Sequence, residues 1–243
     1  MKTIIQIYRE LRQRLPEIYF RLRHSVLTFK KRFPGIAIGG RIELPNEFKF
    51  QEDASVNRGE PDCEGRYYSK INQLDWERIP LSIKRAIKNY DSVLKLYLGD
   101  GYTINEGRLW RNYPIPQQYR NSELFSQYWH YDKVVDFRNI QLFVLLGDVT
   151  VDDGPFEFVV RPDEKKIMHS VLKRNNEDLN IRGIKTKKLI GSRGDSFLFS
   201  TGSTPHRAGI PAEGHFRDIF SIAFFPSYAQ VGVSSELLLR EVE

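Results

Sequence analysis

The chain has 243 residues, is 40% hydrophobic and 28% charged, and carries a formal net charge of +6. That length suits one large domain with an added arm and is ample for a sizeable core. A single cysteine, Cys63, excludes an intrachain disulfide, and no apolar run of about eighteen residues or signal-type apolar core is present, which together predict a cytoplasmic protein without a spanning helix.

In chain order, residues 1–34 come first as a basic arm. They hold nine Lys/Arg against two Glu, whereas residues 35–243 hold 28 against 29, so the excess charge lies in the arm. Ile4, Tyr8, Leu11, Leu15, Ile18, Leu22, Val26 and Phe29 recur at steps of three and four, one face of an amphipathic helix kinked or broken at Pro16. Such an arm either docks on its own domain with its basic side solvated, or lies peripherally on an anionic membrane surface. No nucleic-acid recognition motif accompanies it, so nucleic acid is not an expected partner.

Residues 35–60 predict short strands and turns. Their apolar rhythm resembles one coil of bacterial sugar acyltransferases, which implies glycan-related biology. From Pro80, the spacing of Ile83, Ile87, Tyr90, Leu94 and Leu98 predicts one helix that Gly99 ends. Thereafter short aromatic and β-branched runs alternate with Gly, Asp, Asn and Pro: "YTINEGRLWRNYP", "SQYWHYDKV", "NIQLFVLLGDVTV", "PFEFVV", "IKTKKLI", "DSFLFS" and "FRDIFSIAFF". That succession predicts an antiparallel sandwich or jelly roll without an internal boundary after residue 60. Residues 163–182 predict a long loop.

Within "YWHYDK", His130 and Asp132 stand two apart, so a strand would point both the same way. An imidazole and a carboxylate on one face supply two ligands to a divalent metal. One more His completes a set that leaves positions open on an iron. His24 lies in the arm, His169 borders the loop, and His215 lies in a turn-like stretch. His206 follows a buried strand, and Arg217 stands eleven positions later on the next strand. A guanidinium there suits the far carboxylate of an anionic co-substrate.

The pattern His130-x-Asp132, His206, Arg217 resembles the phytanoyl-CoA dioxygenase-like branch of the iron(II)/2-oxoglutarate oxygenases, from about Pro80 to Pro226. The shared features include "YLGDGY", "LFVLLGDV", "DDGPFEFV" with its Gly154-Pro155 turn, and "GDSFLFSTGSTPHRAGIPAEGHFRDIFSIAFF". The resemblance implies a mainly β fold with flanking helices (α+β), built on a double-stranded β-helix, or cupin-like jelly roll, over residues 35–243. It implies Fe(II) on His130, Asp132 and His206, and 2-oxoglutarate and O2 as co-substrates. Arg217 would hold the C5 carboxylate, and Gln141 would contact the co-substrate, with Phe143 beside it as wall. The implied reaction is hydroxylation of a small-molecule, lipid or glycan-related substrate, with release of succinate and CO2. The sequence departs from the family at "VRPDEKK" and at Ala208. Lys165, Lys166, Lys185, Lys187 and Lys188 are candidate anion contacts or solvated surface. Two other readings stand beside this one: a cupin-like metal protein that does not turn over 2-oxoglutarate, and a non-catalytic jelly-roll binding module.

Overall fold

The computed structural model describes residues 36–51, 69–116, 129, 130, 132, 139–160, 185–202, 204–229 and 231–242. The basic arm, the 163–182 stretch, His24, His169, Lys165 and Lys166 lie outside them. The described residues hold ten strands: β1 (Ile36–Ile38), β2 (Ser69–Leu74), β3 (Thr103–Asn112), β4 (Ile140–Leu145), β5 (Glu157–Val159), β6 (Thr186–Lys188), β7 (Ser196–Phe199), β8 (His206–Arg207), β9 (Arg217–Phe225) and β10 (Val233–Ser234). The α-helices among the described residues are α1 (Leu81–Asn89), α2 (Asp91–Leu98) and α3 (Ser235–Leu238).

The strands form two antiparallel sheets. The larger runs β1-β7-β4-β9-β3-β10, with β2 also paired to β3; the smaller runs β6-β5-β8. Together they make the expected jelly-roll-like core. A bridge between His130 and His206 extends the smaller sheet towards the chain before β4. The Ile36–Ile38 segment pairs antiparallel with β7. It therefore belongs to the jelly roll, and the acyltransferase-like coil is not formed there.

The larger sheet has two unlike faces. On the outer face, Leu142, Val144, Leu109, Phe220, Ile222 and Phe224 meet Ile83, Ile87, Leu94 and Leu98 of the helices in one apolar cluster. Each fully buried side chain of this kind contributes about 1.5–3 kcal/mol. The single helix expected over residues 80–99 is instead two. At Tyr90 (φ −86°, ψ −3°) the backbone N–H reaches back to Ala86, Ile87 and Lys88 together, which closes α1. Leu94 then takes the Tyr90 carbonyl and starts α2. The apolar spacing survives the break, because Ile83, Ile87, Leu94 and Leu98 are all buried. Gly99, at φ 89°, ends α2 as its position predicts.

The inner face looks onto the smaller sheet. Register fixes which residues share it: Gln141 lies opposite Phe199 and Ala223, Phe143 opposite Phe197 and Ser221, and Leu145 opposite Ile219. On the next strand Ser221 lies opposite Arg108, Ile219 opposite Trp110, and Arg217 opposite Asn112. Phe156 and Phe158 of the smaller-sheet side pack with Phe197, Phe199, Leu145 and Ile219 in a second cluster. The metal-type residues gather at one end of this layer.

Candidate metal centre

His130 and His206 are held side by side by a reciprocal backbone pair: each N–H donates to the other's carbonyl at 3.0 Å. Their rings lie 4.5 Å apart between centroids. Asp132 joins them because its own N–H donates to the Thr201 carbonyl at 3.1 Å, on the turn that leads from β7 to His206. One carboxylate oxygen, Oδ1, lies 3.7 Å from His130 Nε2 and 3.5 Å from His206 Nε2. One ligand atom from each residue lies within 4.8 Å of the other two. This is a two-histidine, one-carboxylate facial set suited to one divalent metal, and Fe(II) matches its donors.

The surroundings prepare each ligand. His206 Nδ1 lies 2.9 Å from the Thr204 carbonyl, which can only accept, so Nδ1 carries a proton and Nε2 is the nitrogen directed at the cluster. His206 also stacks on Phe156 at 5.2 Å and meets Phe199 edge-on at 5.4 Å. Gln141 Nε2 donates to Asp132 Oδ2 at 3.2 Å and to Thr201 Oγ1 at 3.1 Å. Asn139, fully buried, donates to Thr201 Oγ1 at 2.6 Å and accepts from the Gly202 N–H at 3.0 Å. Burial pushes the Asp132 carboxyl upwards. The hydrogen bond and charge of His206, the Thr201 hydroxyl and the charge of His130 outweigh it and hold the group well below the usual carboxylate range. Asp132 is thus an anion before any metal arrives.

Arg217 opens β9 on the same inner face and is only 3% exposed. Its Nη1 donates to the Gly154 carbonyl and its Nη2 to Asn112 Oδ1 at 3.0 Å. Its Nε is buried without a partner. The neighbouring Asp218 does not neutralise it, because Asp218 is bound at both oxygens by Arg111 at 2.6 Å on the other face. Among the described residues no carboxylate is in salt-bridge contact with Arg217. Burial therefore pulls its pKa down to about 10, against the opposing charge of Glu157. A buried cation with an orphaned N–H is costly unless an anion completes it.

Gly154 ties this guanidinium to the metal end. Only Pro155 separates it from Phe156, the ring stacked on His206, a span of at most about 7 Å. Gly154 adopts φ +64°, and a Cβ there would fall 2.4 Å from Pro211 N, so the Gly154-Pro155 turn tolerates no side chain.

The structure thus brings His130, Asp132 and His206 together and sets Gln141 against the Asp132 carboxylate. Phe143 packs 5.3 Å from Phe156 and 6.3 Å from Phe199, as wall. His215 is excluded from the cluster: its side chain is 44% exposed and pairs with Asp153 at 3.0 Å. Lys185, Lys187 and Lys188 are exposed, with Lys188 3.8 Å from Glu157. Sequence reasoning passed over Asn112, Asn139, Thr201 and Thr204. The hydroxyl-rich "STGSTPH" immediately before a ligand histidine was the available signal for the last two.

No family model and no curated protein matches this chain. Several solved structures are similar to it. EctD from S. alaskensis, with 2-oxoglutarate and 5-hydroxyectoine, shares 18% identity at a TM-score of 0.46, over 65% of this chain and 56% of that one. The non-heme, alpha-ketoglutarate-dependent carbocyclase SnoK from nogalamycin biosynthesis shares 13% at 0.46, over 69% and 67%. HygX from Streptomyces hygroscopicus, with nickel, 2-oxoglutarate and hygromycin B, shares 12% at 0.48, over 84% and 87%. This chain therefore spans little more than half of EctD. The likeness is distant, and the case for the metal centre rests on its own side chains. Among the described residues, no helix is long and apolar enough to cross a membrane.

Proposed function

We propose that this protein is an iron(II)- and 2-oxoglutarate-dependent oxygenase that hydroxylates a C–H bond of a small molecule. The observation that carries this reading is the pairing of the facial ligand set with a buried guanidinium that lacks an anion and has one N–H unused. A metal site alone would suit many chemistries. A second, dedicated anion position behind an aromatic wall suits a dicarboxylate that spans from the metal to Arg217.

Iron held by His130, Asp132 and His206 would supply dioxygen activation coupled to oxidative decarboxylation of 2-oxoglutarate to succinate and CO2, with the second oxygen atom delivered to the substrate. The chain's own residues prepare this. The Thr204 carbonyl keeps the Nδ1 proton on His206, so Nε2 is free to ligate. Gln141 occupies Asp132 Oδ2 and leaves Oδ1 towards the metal. Arg217 orients the co-substrate by its far carboxylate. Phe143, Phe156 and Phe199 exclude water from the reacting side.

The test is succinate release from 2-oxoglutarate by iron-loaded protein in air. Wild type is expected to release it, and Asp132→Ala to lose at least about 100-fold of that rate, beyond the 10–100-fold seen when only a ligand's supporting partner is lost. Undiminished release by Asp132→Ala would remove the ligand assignment. No release by wild type, with iron bound, would leave the cupin-like reading or the binding-module reading in its place.

A further inference from the structure

The inner face of the larger sheet carries a second guanidinium. Arg108 stands on β3 opposite Ser221, which in turn stands opposite Phe143. With Gln73 of β2 on the other side of Arg108, they form one cross-strand row, next to the row of Gln141 and Ala223 at the metal end. Parity confirms the side. Leu109 and Gly107 face the helices, with Gly107 against Phe220 and Ile79. Trp110, on the same parity as Arg108, donates its indole N–H to Ser221 Oγ at 2.7 Å.

Arg108 and Arg217 are unlike in setting. Arg217 is 3% exposed and held by Gly154 and Asn112. Arg108 is half-buried, and its guanidinium makes no hydrogen bond or ion pair with any described residue. Two rows, roughly 13 Å along the strands, separate them, and two strand spacings, roughly 10 Å, separate Arg108 from the β4 strand that carries Gln141. The side chain of an arginine covers most of the second distance. Its cross-strand neighbours on this face are neutral, Gln73 on one side and Ser221 then Phe143 on the other, with Trp110 next along the strand, and it forms no ion pair with the exposed Glu106 two positions before it. Ser221 Oγ takes up the Trp110 N–H, and the guanidinium is the one charged group of the Gln73, Arg108, Ser221 and Phe143 row.

The geometry points to Arg108 as the anchor for an anionic group on the primary substrate, a carboxylate, phosphate or sulfate carried by the molecule that is oxidised. This rests on the oxygenase reading and deepens it: Arg217 takes the co-substrate, and Arg108 takes the substrate. The half-buried rings of Trp110 and Phe143 on the same face would flank the substrate's apolar part. A planar five-donor fork without an ion-pair partner selects an oxyanion over a neutral or cationic ligand.

The experiment uses the full chain loaded with iron. A small-molecule cell extract is split on an anion exchanger into a retained, anionic fraction and an unretained one. Succinate release is then measured with each fraction. The retained fraction is expected to stimulate wild type over its own unstimulated rate. Arg108→Gln should need at least tenfold more of it, and Arg108→Lys should recover part of the response. The Kd of Arg108→Gln for 2-oxoglutarate, measured anaerobically by calorimetry, should move less than threefold. An equal response of Arg108→Gln, stimulation confined to the unretained fraction, or no response to either fraction overturns the assignment. A large shift in the 2-oxoglutarate Kd overturns it differently, by placing Arg108 at the co-substrate. Failure of wild type to bind 2-oxoglutarate at all would instead defeat the oxygenase reading itself.

Discussion

The two faces of the larger sheet are made by the same strands and yet are built to different rules. On the helix side, Leu142, Val144, Phe220, Ile222 and Phe224 pack in one apolar cluster, and the polar groups on that face, Ser196 and the Arg111–Asp218 pair, are partnered. On the inner side the alternate residues of the same strands include Gln141, Ser221 and Arg217. A sheet that needed only stability would fill both sides with Leu, Ile and Phe, because a buried polar group left without a partner, such as Arg217 Nε, is costly. The difference teaches where selection has acted for something other than folding. The helix side holds the protein together; the inner side holds a ligand-binding arrangement that the helix side must stabilise.

Substitutions can separate these roles. Leu142→Ala, at a fully buried position of the helix side, should destabilise the fold by about 3 kcal/mol in denaturant unfolding. The succinate rate per folded molecule should not change. A selective loss of activity without loss of stability would contradict the division. Arg217→Met should do the reverse. Removing a buried cation that lacks an anion should leave apo stability level or improved. The Kd for 2-oxoglutarate should rise roughly 30-fold, about 2 kcal/mol, as expected for hydrogen bonds to a charged group. A destabilised variant with unaltered co-substrate affinity would make Arg217 a structural residue.

A smaller effect is expected at Gln141. Gln141→Leu frees Asp132 Oδ2 from its N–H donor and should weaken iron binding about tenfold in a chelator competition. Unchanged iron affinity, with a raised KM for 2-oxoglutarate, would return Gln141 to the co-substrate role that the family resemblance implies. The smallest effect concerns the turn beside Gly154. Burial raises the Asp153 carboxyl, but the Thr150 hydroxyl and N–H and the His215 ring outweigh it, so its pKa is lowered. Its stabilisation is therefore present above the unfolded value, about 4, and fades as pH falls through the lower folded value. Asp153→Asn should flatten the acid limb of the stability profile below about pH 4. An identical acid limb would show that the turn contributes nothing there.

Much of this was legible in the residues. The jelly-roll strands follow the aromatic and β-branched runs, and His130, Asp132 and His206 were separable from His215 by what precedes and follows each. Register made the rest hard to foresee. That Gln141 faces Asp132 depends on which residue of β7 lies across from β4, a pairing set by contacts over 50 residues apart in sequence. That Arg217 lacks an acid depends on Asp218 turning to Arg111 on the opposite face. The break at Tyr90 left no mark in the apolar spacing, since both helices keep one buried stripe. Asn139 opens the run "NIQLFVLLGDVTV" with nothing to single it out, and only the fold reveals it as the pin beneath Thr201.

The central claim is that three side chains from two distant parts of the chain form one coordination face. Equilibrium dialysis of anaerobic Fe(II) against metal-free protein tests it most directly. One tightly held iron per chain is expected for wild type, and its loss in a folded His206→Ala variant. Retention of that iron by His206→Ala, or no specific iron on wild type, would contradict it.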